Sequence, residues 1–229
     1  MAILATPSPR QKQNACRLPA RGRAFRRRLL AWYARHARKL PWRGVCDPYA
    51  VLVSEMMLQQ TQVRRVVDFF PRFLARYPTL EDLAAAPADA VREAWDGLGY
   101  YARARNLHAA AREVVATHGG VLPERPEALR RLPGIGRYTA GAVASIAFGI
   151  DVPAVDTNAA RVLRRALGVR RRPPARLWRL AEALVPRGRA ADWNQALMDL
   201  GATVCTARVP RCASCPVRTS CVTGMRRSR

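Results

Sequence analysis

Lysine is almost absent from this chain: Lys12 and Lys39 are the only two. The positive charge is therefore arginine's, and an amine nucleophile has few places to come from. Acidic residues are also scarce, sixteen Asp plus Glu against forty Lys plus Arg, which leaves a formal charge of +24 over 229 residues. An excess of one sign says little about fold and much about partners, and the partner it suits is a polyanion. Arginine used as a generic surface residue in a GC-rich genome accounts for single positions but not for the net imbalance. No apolar run approaches the ~18 residues of a membrane span, which excludes a helical membrane protein. The N-terminus lacks the apolar core of a signal peptide, so a soluble, cytoplasmic protein without membrane contact is expected. Alternating strand-like runs bounded by turn residues are few, and there is no internal repeat.

What remains is helical. Asp47 before Pro48 is an N-cap with proline at the first helical position, opening YAVLVSEMMLQQT, and Pro87 is read the same way for ADAVREAWDGL. Further helices fit residues 24 to 38, 63 to 76, 101 to 118, 137 to 148, 157 to 167, 175 to 185 and 191 to 204. The fold class is all-α, and the length suits two lobes. Residues 1 to 22 lack apolar periodicity and read as a mobile basic tail. The arginine-rich GVRRRPPAR at 168 to 176 reads as a loop between helices.

Three stretches carry chemistry. In LPGIGRYTAGAVASIAFG, Gly134 and Gly136 permit a tight turn with open backbone N–H groups directly before a helix, the arrangement of a helix-hairpin-helix phosphate clamp. The same letters also describe a plain turn. Glu55 in VLVSEMML is flanked by apolar residues, where an ionised carboxylate would be desolvated and its pKa raised; Ser54 and Gln59 allow the other reading, a solvated helix face. Asp156 in VDTN precedes the amphipathic NAARVLRRALG, where an aspartate is first of all an N-cap. Cys205, Cys212, Cys215 and Cys221 stand at spacings of six, two and five. In a reducing compartment such a cluster points to metal rather than to disulfides, with iron–sulfur and zinc chemistry both open; Cys16 and Cys46 read as bystanders.

Over about residues 35 to 221 the chain resembles the endonuclease III superfamily of base-excision DNA glycosylases, and within it the A/G-specific adenine glycosylases. The likeness rests on LPWRGVCDPYAVLVSEMMLQQTQV, WDGLGYYARARNLHAAA, LPGIGRYTAGAVASIAFG, VDTNAARVLRR, WNQALMDLGATVC and the four-cysteine run, in that order. It implies a six-helix barrel over 48–149 with the hairpin at about 126–148. A second helical domain, from 23–47 plus 150–229, would carry a [4Fe-4S] cluster on the four cysteines, and double-stranded DNA with a mismatch would lie in the cleft between them. Arg208, Arg211 and Arg218 would face phosphates, as would Gly134, Gly136 and Arg137. Glu55 matches the acid that protonates the departing base, and Asp156 the carboxylate that stabilises the sugar cation. Gln59, Gln60 and Thr61 match the wedge of a QQTQ-type stretch, and Arg43 and Gln195 contacts to the flipped base. Tyr138 stands where strand-cleaving relatives carry lysine, which implies a monofunctional enzyme.

The alternatives are a thymine or uracil mismatch glycosylase, whose hairpin also carries tyrosine, and a non-catalytic iron–sulfur DNA-binding protein. Gln195 and Val63 favour adenine, and the presence of both carboxylates disfavours mere binding. VDTN departs from the commoner VDGN. The chain stops where such enzymes usually continue into a domain that inspects 8-oxoguanine, so a short form is expected, monomeric and nucleoid-associated in a prokaryote.

Overall fold

A computed structural model describes residues 20–169 and 174–226. The expected tail lies outside them up to residue 19, as do Lys12, Cys16 and part of the arginine-rich loop. Every regular element among the described residues is helical.

The first helix, α1 (Ala20–His36), starts earlier than its periodicity indicates, so residues 20 to 22 are not part of a tail. Its stripe of Phe25, Leu29, Leu30 and Tyr33 is buried, and Gly22, one turn before, joins the same face. α2 (Pro48–Leu58) begins as expected, with the Asp47 side chain accepting from the Tyr49 and Ala50 N–H groups. It buries every residue from Tyr49 to Met57. A helix without a polar face has to be sheathed on all sides, and α3 (Val63–Arg76), α6 (Ala102–His118) and α8 (Arg137–Ile146) supply that sheath.

Between these lie three short helices, α4 (Leu80–Ala85), α5 (Ala88–Ala94) and α7 (Pro126–Leu129). The periodicity of the sequence misses α4, which is held by a reciprocal cap between Thr79 and Asp82 and by burial of Leu80 and Leu83. Pro87 is the N-cap of α5 rather than its first residue, and the helix stops at Ala94, short of WDGL.

The remaining helices build a second core. α9 (Thr157–Leu167), α10 (Pro174–Leu184) and α11 (Ala190–Thr203) pack with α1 around Trp193, Leu163 and Leu197. A 3₁₀ turn (Arg218–Ser220) and α12 (Val222–Arg226) close it. The first core extends from Trp42 to Ala144, and a thin apolar seam of Ala142, Ala154 and Met198 joins the two.

Two contacts fix the segment that crosses this seam and leads into α9. Gly141 lets it lie directly on α8, since a β-carbon there would come within 2.3 Å of the Pro153 carbonyl oxygen. Asn194, wholly buried on α11, accepts from the Ala154 N–H at 3.0 Å and donates to the Val152 carbonyl at 3.0 Å and to Ser145 Oγ at 2.9 Å. All of its hydrogen-bonding groups are used to hold one segment in register with both cores.

Candidate active site and cysteine cavity

Where the cores face each other a cleft of about 860 Å³ opens, and its lining includes Arg43, Glu55, Gln59, Gln60, Thr61, Tyr138, Asp156 and Gln195. Glu55 lies on α2 and is only 4% exposed. Ser54 does not mark a solvated face; it is buried and donates to the Val51 carbonyl at 2.9 Å. Desolvation pushes the pKa of Glu55 up, opposed by a hydrogen bond from Tyr138 and by the charge of Arg43, while Asp156 adds to the rise. The Tyr138 hydroxyl donates to Glu55 Oε2 at 2.6 Å. Burial and the neighbouring carboxylate push its own pKa well up, so it stays a donor.

Asp156 comes from the opposite side, as the N-cap of α9. It accepts from the Ala159 N–H at 2.6 Å and from Asn158 Nδ2 at 2.8 Å. The capping role and a place in the cleft coincide, because a cap side chain sits at the exposed mouth of its helix. Arg161 holds Asn158 at 2.8 Å and also donates to the carbonyls of Gly201 at 2.7 Å and Cys205 at 2.8 Å.

The third wall is a charge network built on one buried carboxylate. Asp199, with no exposed side-chain surface, takes Arg38 at 2.7 Å and Arg43 at 3.0 Å. Arg43 also donates to the Tyr33 hydroxyl at 3.4 Å, and Tyr33 donates to Gln195 Oε1 at 2.6 Å. Arg43 thus reaches the cleft with one nitrogen on Asp199 and one on Tyr33, while its buried Nε has no hydrogen-bond partner among the described residues.

The rim is the turn after α2. Gln59 caps that helix and donates to Thr139 Oγ1 at 3.3 Å, Thr61 Oγ1 bonds back to the Gln59 carbonyl at 3.4 Å, and Gln60 is exposed with φ +55°. Beneath it lies Arg103, buried, which donates to the carbonyls of Met56, Met57 and Gln59 on one side and of Leu98 and Gly99 on the other. Sequence reasoning passed over Arg103, Asn158, Asn194 and Asp199. Asp199 alone left a trace, as a carboxylate in the otherwise apolar ALMDLG.

The glycine hairpin stands outside the cleft lining. Gly134 has φ +73°, and a β-carbon there would meet Asn106 Cβ at 2.6 Å. Gly136 is the N-cap of α8, whose first turn receives no side-chain hydrogen bond. Arg137 turns away, pairing with Glu182 at 2.9 Å and lying 4.0 Å over the Trp178 ring.

The four cysteines line a separate small apolar cavity. Among the described residues no three His, Cys, Asp or Glu side chains are grouped to hold a single ion; the thiols face a common space instead. The Gly224 N–H donates to Cys221 Sγ at 3.3 Å and Arg165 to Cys205 Sγ at 3.4 Å. Burial, with a smaller contribution from the other three thiols, pushes Cys215 up to about 11, the behaviour of a site that needs positive charge to hold thiolates. Four thiols on one cavity are a donor set that an iron–sulfur cluster takes, as zinc does. Arg208 and Arg211 on this loop are exposed, whereas Arg218 is half-buried.

Solved structures share this architecture. The chain superposes on a thermostable thymine-DNA glycosylase with a TM-score of 0.84 at 33% identity, covering 90% of this chain and 97% of that one. A trapped covalent endonuclease III–DNA intermediate follows with a TM-score of 0.78 at 25% identity, over 90% of this chain and 97% of that one. Fold and site define a helix-hairpin-helix DNA-repair scaffold. The chain belongs to the HhH-GPD superfamily of base excision DNA repair proteins, whose pattern it matches over residues 53–187. Among curated relatives, the adenine DNA glycosylase of Mus musculus is 48% identical over 212 residues, 86% of this chain and 41% of the relative. The chain therefore spans about two fifths of that enzyme's length. Adenine DNA glycosylases of a plant and of bacteria match as well, so the expectation of a prokaryotic, nucleoid-associated protein has no support in the relatives. No described helix is long and apolar enough to cross a membrane.

Proposed function

We propose that this chain is a monofunctional DNA glycosylase of base excision repair, acting as a monomer on double-stranded DNA and hydrolysing the N-glycosidic bond of adenine mispaired with guanine or 8-oxoguanine. One observation carries the reading: two carboxylates share one cleft in opposite environments, Glu55 desolvated and Asp156 held by polar donors. A desolvated carboxylic acid facing a carboxylate held by polar donors suits separate acid and stabilising roles.

The target nucleotide has to leave the stack before its C1′–N bond can be reached. The Gln59 to Thr61 turn fills the gap, and the open N–H groups at the start of α8 take a backbone phosphate. Glu55 gives its proton to a ring nitrogen of the base, and the C1′–N bond breaks with its electron pair passing to the base. Asp156 stabilises the oxocarbenium-like sugar until water adds at C1′ and its released proton restores Glu55. No lysine lines the cleft among the described residues, and Tyr138 is engaged with Glu55. The product is an abasic site with the strand intact.

Cys205, Cys212, Cys215 and Cys221 would hold a [4Fe-4S] cluster, which when bound supplies bonds that tie the C-terminal loop into one body carrying Arg208 and Arg211 towards DNA. Purified protein is expected to be yellow-brown with about four irons per chain. One zinc per chain and no visible absorbance would reject the cluster.

Removal of thymine from T:G is the second reading, favoured by the likeness to the thymine-DNA glycosylase. Adenine is preferred because identity to an adenine enzyme is higher, 48% against 33%. Single-turnover excision on A:G, A:8-oxoguanine, T:G and U:G duplexes tests both. Release of adenine alone supports the proposal, and release of thymine or uracil with A:G untouched overturns it.

A further inference from the structure

Gln195 faces the cleft with an amide that has two different ends, and what it asks of a base depends on which end is free. The protein decides this from behind. Arg43 is anchored by Asp199 and directs a second guanidinium nitrogen at the Tyr33 hydroxyl oxygen, 3.4 Å away. A guanidinium only donates, so that oxygen accepts, and the single phenolic proton is left for Gln195 Oε1 at 2.6 Å. Tyr33 is buried, which pushes its pKa up and keeps the proton in place. The chain Asp199, Arg43, Tyr33, Gln195 has one direction. It turns the amide oxygen back towards Tyr33 and leaves Nε2 for the cleft that Gln195 lines.

We infer that Tyr33 is a positioning residue for base specificity: it locks Gln195 so that the pocket offers an N–H donor and no carbonyl acceptor at this wall. The inference rests on the proposed excision of adenine. A donor is satisfied by a ring nitrogen on the Watson–Crick edge of adenine, N1, and not by the exocyclic amine, which is itself a donor. Specificity at this wall is then for the ring acceptor. An adenine analogue with carbon in place of N1 leaves Nε2 unpaired in a desolvated site, the situation in which a missing partner discriminates strongly. An analogue without the amine loses nothing here.

The experiment is single-turnover excision of adenine, 1-deazaadenine and unsubstituted purine, each opposite guanine, by wild type, Tyr33→Phe and Gln195→Glu. Ratios between proteins cancel the intrinsic lability of each nucleoside. Wild type is expected to excise 1-deazaadenine at least tenfold more slowly than adenine after correction for acid depurination in solution, and purine without such a deficit. Tyr33→Phe frees the amide to turn, and the penalty for 1-deazaadenine should fall at least fivefold. Gln195→Glu replaces the donor by an acceptor and should move the penalty to purine. A merely structural role for Tyr33 would slow all three bases equally, and that outcome overturns the inference, as does a wild-type penalty on purine rather than on 1-deazaadenine. Wild type that leaves adenine itself in place refutes the functional proposal instead.

Discussion

Glu55 holds its proton at a cost to the fold. Its folded pKa lies above the unfolded value because burial disfavours the charged form. Below the unfolded pKa both states are protonated and nothing is lost; between the two values the unfolded state alone releases its proton, so stability declines as pH rises through that window. Glu55→Gln keeps an acceptor for the Tyr138 hydroxyl and removes the titration. It is expected to melt higher than wild type at neutral and alkaline pH and to lose most of this advantage below about pH 4, where both forms are neutral. The same variant should lose excision by about 10²-fold or more. A thermal melt across pH together with a single-turnover assay checks both halves. Asp156→Asn separates the two roles in another way. Asparagine caps as well as aspartate, so the melting temperature should hardly move while excision falls by orders of magnitude through loss of the charge that the proposed mechanism sets beside C1′.

At the scale of elements, the rim turn depends on one side chain. Gln60 and Tyr100 are the two non-glycine residues with positive φ among the described residues, a conformation that side chains adopt only when held. Arg103 donates into the carbonyls beside both and lies over the rings of Trp95 and Tyr100. Arg103→Met would strand several buried carbonyls and is expected to cost about 3 kcal/mol or more, read as a lower urea midpoint. Excision should fall further than residual stability explains, since the turn proposed as the wedge loses its support. Arg103→Lys, with one ammonium in place of a fork, should recover only part of either loss.

Over the whole molecule, charge and hairpin act together. With +24 and few anionic side chains to neutralise it, binding to undamaged duplex should weaken steeply with salt, log affinity falling by roughly 0.9 per phosphate neutralised for each decade of salt. A titration across salt concentrations measures the slope, and a flat response would remove the case for a DNA-tracking surface. Arg137→Ala tests a finer point. Its pairing with Glu182 and Trp178 joins the hairpin to α10, so the loss should appear mainly in thermal stability, with the salt slope nearly unchanged if the backbone N–H groups take the phosphate.

Helix type and many helix starts were legible because caps and periodicity act over a few residues: Asp47 with Pro48, Asp156, the glycines of the hairpin, the spacing of four cysteines. The bounds of α3 and α9 follow from that local chemistry, whereas the missed α4 is too short for periodicity to register. Tertiary structure alone decided which side chains meet. Glu55 is buried because an all-apolar α2 has to be enclosed by helices from distant parts of the chain, and its partner Tyr138 lies 83 residues away. Tyr33 reaches Gln195 across 162 residues, and Arg103 reaches the turn after α2 across 44. Such pairings leave no local pattern, since a hydrogen bond between distant segments is set by the packing of two cores around them.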